Sequence, residues 1–226
     1  MVKKIVIYIT FCTVLGGFAV IAYVISHTEK RDLARELIAA DGHVAKAYFS
    51  PDDGMRDILI ALIDAELKSI KCAIYTLTDK NVSQAFLKAA RRGVQIECVV
   101  DRSFSEGRYS RVPELANAQI PLWVYQTGPN EREAGLMHNK FCLFQDTVGH
   151  KALVWTGSYN FTKRAHEKNE ENVVILSDKQ ILTEFNDYFE RLKRKSLQIS
   201  GYPQKTPPLT RQQKPDWFTR ILDLLS

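Results

Sequence analysis

The sequence predicts an α/β layered domain behind an N-terminal transmembrane helix. Three observations carry that reading. Apolar, β-branched runs alternate with amphipathic helical runs through the middle of the 226-residue chain, a stretch of 21 residues near its start carries no charge, and 45% hydrophobic with 25% charged residues is the balance of a folded chain. That balance excludes a disordered tail, a collagen-like repeat and a disulfide-stapled miniprotein. The four cysteines (Cys12, Cys72, Cys98, Cys142) are too few for a disulfide framework and none form CxxC, so no zinc module is expected. The formal charge of +5 has a location: residues 191–226 carry eight basic side chains against Asp216 and Asp223, and the central body is near neutral. A broad basic nucleic-acid face is therefore not predicted.

The uncharged run Ile5 to Ile25 is long enough as a helix to cross a hydrocarbon core of ~30 Å. Residues 1–28 are assigned to a membrane anchor. The alternatives are a cleaved secretory signal, whose apolar region normally runs only about 7 to 15 residues, and a buried core helix. Lys3 and Lys4 precede the run while Lys30, Arg31 and Arg35 follow it, so the flanking charges leave orientation open. The domain is placed outside the cytoplasm, periplasmic or, if the segment is cleaved, secreted. Residues 29–43 form a linker, with a helix from Glu29 to Ala40 that aligns Leu33, Leu37 and Ile38 and is closed by Asp41 and Gly42.

The domain proper is assigned to residues 44–195. A strand AKAYFS leads to Ser50-Pro51-Asp52-Asp53, read as a helix start, and then to an amphipathic run with Ile58, Leu59, Leu62, Ile63 and Leu67. KCAIYTLT is a strand, Lys80 to Arg92 a helix stopped by Gly93, and VQIECVVD a strand apolar enough to be buried on both faces. A short helix over Pro113 to Ala118, the strand IPLWVYQ and the polar loop TGPNEREAG follow. MHNKFCLF and KALVWTGS are expected to pair as a hairpin through QDTVGH, before a strand ENVVILS and a helix from Asp178 to Lys195. Residues 196–226 are read as a Pro- and Gln-rich linker and a short amphipathic helix, DWFTRILDLLS, that docks on the domain, a membrane surface or a partner.

The chemistry concentrates in MHNKFCLFQD, WTGSYNF and NEEN. Residues two apart on a strand share a face, so His138 and Lys140 project together while Asn139, Phe141 and Leu143 point away. Gly157 permits close backbone approach on the partner strand, and Ser158 and Asn160 add a hydroxyl and an amide on one side. A base-like nitrogen, an ammonium and neutral donors are what a phosphate diester needs. Glu171 opens the next strand, placed to accept the Nδ1 proton of His138 and leave Nε2 free to attack. His166 and Lys168 form a second HxK with no GSxN after it and are read as a surface coincidence. Cys142 shares the face of His138 and Lys140 and is read as a packing residue, as are Cys72 and Cys98 on neighbouring strands.

HxK followed by GSxN resembles the signature of the phospholipase D superfamily, HxKxxxxD followed by GSxN. The resemblance covers about residues 44 to 195 and is closest to the single-motif branch, the bacterial Nuc-type endonucleases and mitochondrial phospholipase D/Zucchini. It includes GVQIECVVD, MHNKF, TGSYNFT and NEENVVIL. It implies a phospholipase D-like layered domain with a mixed β-sheet flanked by helices, His138 as nucleophile, Lys140, Ser158 and Asn160 as phosphate ligands, and Glu171 as the carboxylate that orients the histidine. It further implies a covalent phosphohistidine, no metal or cofactor, and a homodimer that brings a second histidine to a shared site. Two departures stand out. Gln145 occupies the place of the motif aspartate, with Asp146 one residue later as its possible substitute, and the stretch from Lys140 to Gly157 is longer than in typical members.

The motif fits nucleic acid and phospholipid alike. The reading adopted is an endonuclease on DNA or RNA, with Arg102, Arg108, Arg111, Lys163 and Arg164 in loops flanking the motif strands as candidate backbone contacts. The alternatives are a phospholipase D acting on head groups and a catalytically weak, membrane-tethered binding protein.

Overall fold

A strand apolar on both faces is stable only in the middle of a sheet covered by helices, and VQIECVVD and KFCLF are two such strands. The computed structural model describes residues 36–37, 42–105, 107–125 and 135–199 and arranges them as expected. Eight strands form one mixed sheet in the order β1-β7-β6-β5-β2-β3-β4-β8. They are β1 (Ala45–Ser50), β2 (Ser69–Ile74), β3 (Gln95–Asp101), β4 (Leu122–Tyr125), β5 (Lys140–Phe144), β6 (Leu153–Gly157), β7 (Glu171–Leu176) and β8 (Ser196–Ile199). β2, β3 and β4 run parallel, and all other pairings are antiparallel.

The helices are α1 (Met55–Ala65), α2 (Lys80–Arg91), the short α3 (Arg102–Ser105), α4 (Val112–Asn117), α5 (Lys163–Glu167) and α6 (Lys179–Arg194). α1 and α2 cover one face, burying Leu59, Leu62, Ile63, Val82, Phe86 and Ala89 against Ile70, Cys72, Cys98 and Trp155. α6 covers the other, with Phe189 and Leu192 against Ala73, Val99, Phe141 and Val154. The alternation along β5 follows the two-residue period: Phe141 and Leu143 meet α6, Cys142 and Phe144 meet the α1/α2 side. Cys72, Cys98 and Cys142 are free thiols in register across β3, β2 and β5. Burial pushes the Cys72 thiol up, and the adjacent Cys72 and burial push Cys98 up, so both are inert packing groups.

Two expected boundaries move. Ser50-Pro51-Asp52-Asp53 does not cap α1, because the Asp53 carboxylate accepts from Phe49 N at 2.7 Å and closes a turn, and the helix starts after Gly54. The chain after α6 is not yet linker: Ser196–Ile199 pairs with β4 and forms the sheet's edge. Glu36 and Leu37 are helical, with Leu37 fully buried in the main core; the rest of the linker helix, the run from Ile5 to Ile25, most of the TGPNEREAG loop and the tail beyond residue 199 lie outside the described residues. Among the described residues no helix is long and apolar enough to cross a membrane.

Glu66, fully buried at the end of α1, ties two connections together. Its carboxylate accepts from Lys68 N at 2.8 Å, Ser69 N at 2.9 Å and Asp146 N at 3.0 Å, fixing the start of β2 against the end of β5. Glu66→Ala leaves three part-buried backbone donors without their acceptor and is expected to cost about 3 kcal/mol in urea denaturation, with Glu66→Gln recovering part of the loss.

Candidate active site

The carboxyl ends of β1, β2, β3 and β6 and the amino ends of β5 and β7 share one end of the sheet, and the predicted motif residues gather there. Lys140 opens β5 opposite Ile74 and is only 5% exposed. Its ammonium donates to the His138 carbonyl at 2.6 Å, lies 3.1 Å from His138 Nδ1 and sits 5.1 Å over the Tyr75 ring. Burial lowers the Lys140 pKa, and the negative charge of Glu171 opposes that shift. His138 itself is solvent-exposed, at the mouth of this arrangement.

Three residues outside the motif, Asp101, Tyr75 and Tyr188, hold the histidine segment. The buried carboxylate of Asp101, at the end of β3, accepts from Met137 N at 2.7 Å and from Ser103 N at 2.9 Å. Tyr75 N donates to Asn139 O at 2.9 Å, and the Tyr75 ring packs on the His138 imidazole with centroids 4.3 Å apart. Asn139, directed away from the site as expected, donates to Tyr188 Oη on α6.

Opposite, Ser158 follows β6. Its hydroxyl donates to Glu171 at 2.5 Å and accepts from Asn172 N at 3.1 Å, and Asn169 Nδ2 donates to the other Glu171 oxygen at 2.9 Å. Glu171 is thus occupied by Ser158 and Asn169, and it is Lys140 that faces His138 Nδ1. Asn160 Oδ1 is buried and accepts no hydrogen bond among the described residues. The predicted groups of His138, Lys140, Ser158, Asn160 and Glu171 therefore lie on neighbouring strand ends, linked by the Lys140–Glu171 field and the Ser158–Glu171 bond.

Gln145 and Asp146 sit at the far end of β5, about 17 Å along the strand from Lys140. Gln145 Oε1 accepts from Ser69 Oγ at 2.8 Å. Asp146 pairs with Lys68 at 3.2 Å and with His150 at 3.1 Å, contacts that hold its carboxyl below the usual range. The fully buried carboxylate at this end is Glu66, which no motif announces. Of the candidate cations, Arg111 is committed to Glu114, and Lys163 and Arg164 lean on Glu167 and Asn169. Arg108 packs over the Tyr109 ring and remains exposed. His166 and Lys168 lie on and after α5, outside this cluster. No group of three metal-ligating side chains exists among the described residues.

The family model for the phospholipase D-like domain of cardiolipin synthase matches residues 58–193, the span that builds this sheet and site. The chain belongs to this phospholipase D-like family. It is 31% identical over 133 residues to a phospholipase D of Rickettsia bellii and 28% identical over 141 residues to a mitochondrial cardiolipin hydrolase of Xenopus laevis. The matches cover 59% and 62% of this chain, and 61% of each relative's length. The crystal structure of the phospholipase D family member Nuc from Salmonella typhimurium superposes with a TM-score of 0.61 at 26% identity, covering 70% of this chain and 99% of that one.

A Cβ added to Gly157 would stand 2.1 Å from the Asn172 carbonyl oxygen, so the close approach of β6 to β7 that seats Ser158 requires glycine. Gly157→Ala is expected to lower stability by about 3 kcal/mol in urea denaturation and to weaken the Ser158–Glu171 contact.

Proposed function

We propose that this chain is a phosphodiesterase that needs no metal and forms a covalent phosphohistidine, with nucleic acid, DNA or RNA, as its substrate. The observation that carries the reading is the pairing of an exposed imidazole, His138, with a buried ammonium, Lys140, beside Ser158, Asn160 and Glu171. In this reading Lys140 turns from His138 Nδ1 to a non-bridging phosphate oxygen, and the single proton of the neutral imidazole moves from Nε2 to Nδ1, leaving the Nε2 lone pair free. Nε2 then attacks phosphorus, the P–O bond to the leaving group breaks, and a second histidine protonates the leaving oxygen. That histidine next takes a proton from water, whose oxygen attacks phosphorus and releases His138. Lys140, Ser158 and Asn160 stabilise the charge on the phosphoryl oxygens, and Glu171 offsets the ammonium between turnovers.

One chain supplies one HxK that is followed by GSxN, so the second histidine is assigned to a second copy related by a two-fold axis. Support comes from the rim of the site, where Leu136, two residues before His138, and Phe104, packed on Tyr75, are 57% and 39% exposed, an apolar margin suited to a facing copy. The uncharged run Ile5 to Ile25 is proposed to anchor the chain in a membrane, with the domain outside the cytoplasm. A second reading, hydrolysis of phospholipid head groups, is favoured by the similarity to a Rickettsia phospholipase D and a Xenopus mitochondrial cardiolipin hydrolase.

In excess EDTA, wild type is expected to cleave labelled single-stranded or duplex nucleic acid and His138→Ala to lose at least about 10³-fold in kcat/KM. Release of head groups from phospholipid vesicles without nucleic-acid cleavage would select the second reading, and inactivity of a folded wild type on both would reject catalysis. A lysine with a lowered pKa loses its proton at lower pH than usual, so the alkaline limb of kcat/KM should fall below pH ~10.4. Glu171→Gln removes the opposing charge and should move that limb lower still.

A further inference from the structure

The sheet has a second cationic end. Opposite the catalytic end, three connections line a cavity of about 290 Å³: Gly42 and His43 ahead of β1, His150 and Lys151 between β5 and β6, and Ser177 and Lys179 around the start of α6. The Lys151 ammonium lies 3.5 Å from where a Cβ on Gly42 would stand, so the cation rests close to this left-handed turn (φ +81°). His150 is held in the left-handed region at φ +58°, and its ring, 81% exposed, is braced by Asp146 Oδ1. Ser177 Oγ accepts from Val44 N at 2.8 Å, and its hydroxyl hydrogen has no acceptor among the described residues.

Among the described residues the side chains lining the cavity include two lysines and no carboxylate. Neither Lys151 nor Lys179 has a carboxylate partner among the described residues. Among the described residues two acids lie at hand and both are engaged: Asp146 by Lys68 and His150, Asp178 by capping Ile181 N at 2.9 Å. Two ammonium groups, the His150 imidazole and a hydroxyl donor from separate connections form a concave anion receptor, and the catalytic reading uses none of them.

We propose that this cavity is a second, non-catalytic site for a phosphate group, and that its occupant is the head group of an acidic phospholipid. The lipid assignment rests on the proposed membrane anchor. Ten residues, including Lys30, Arg31 and Arg35, separate Ile25 from Glu36, whose carboxylate accepts from Tyr48 Oη at 2.8 Å, and Gly42 follows six residues later, so the cavity lies within a short linker of the span. Basic side chains next to a membrane segment bind acidic head groups. Because β1 runs from Ala45 at the cavity end to Ser50 beside Glu171, a domain seated this way turns His138 away from the bilayer that holds it. Its substrate then arrives from the aqueous side.

The test uses the full chain in nonionic detergent, titrated with dihexanoyl phosphatidic acid, inorganic phosphate and dihexanoyl phosphatidylcholine. The imidazole NMR resonances of His43 and His150 report the cavity and that of His138 the catalytic end. The expected result is a saturable shift of His150 and His43 with phosphatidic acid and none with phosphatidylcholine. In Lys151→Ala/Lys179→Ala this binding should weaken about tenfold or more, with turnover of a small chromogenic phosphodiester unchanged. Equal affinity for inorganic phosphate would overturn the lipid assignment and keep the phosphate site. Shifts confined to His138, or undiminished binding by the double variant, would overturn the site. Release of the chain from membranes by alkaline carbonate would reject the anchor separately.

Discussion

A lysine ammonium withdrawn from water must be met by polar partners, and at 5% exposure Lys140 imposes that requirement on everything around it. Its position is set by register, since Lys140 pairs with Ile74 at the end of a strand between two others and its stem cannot reach bulk solvent. The partners available are the His138 carbonyl and ring, the face of Tyr75 and the field of Glu171. Satisfying the ammonium therefore places the imidazole. The same contacts leave the cation beside the spot where a phosphoryl oxygen would sit, so the geometry that settles the buried charge also prepares the site.

The supports of that geometry lie on other elements. Asp101 at the end of β3 and Tyr75 at the end of β2 grip the backbone on either side of His138, and Gly157 lets β7 come close enough for Ser158 to bond Glu171. At the other end of β5, Glu66 pins the connection to β6. Gln145 in place of an aspartate is thus compatible with a fixed β5, because a buried carboxylate from α1 anchors the backbone there.

The α/β alternation and the facing of His138 and Lys140 were legible in the sequence because a period of two is a local property. HxK on a strand start needs no knowledge of its neighbours. Glu66 and Asp101 were not legible: a single acid at a helix or strand end carries no local sign that distant N–H groups will converge on it. The role expected for Glu171 illustrates the same limit, since its strand position was readable but its engagement by Ser158 and Asn169 depends on the pairing of β6 with β7. Ser196–Ile199 lacked the apolar alternation of an inner strand, being half exposed at an edge, and merged with the tail that follows. The helix start near Pro51 failed because Asp53 turns back to Phe49, a choice the residue types alone leave open.

The most direct test of the account is intact-mass and peptide-level analysis of wild-type protein quenched at alkaline pH during turnover of a short oligonucleotide in EDTA. The account predicts an acid-labile nucleotidyl adduct on the peptide that contains His138, absent from His138→Ala. An adduct on another residue, or undiminished turnover by His138→Ala, would contradict it.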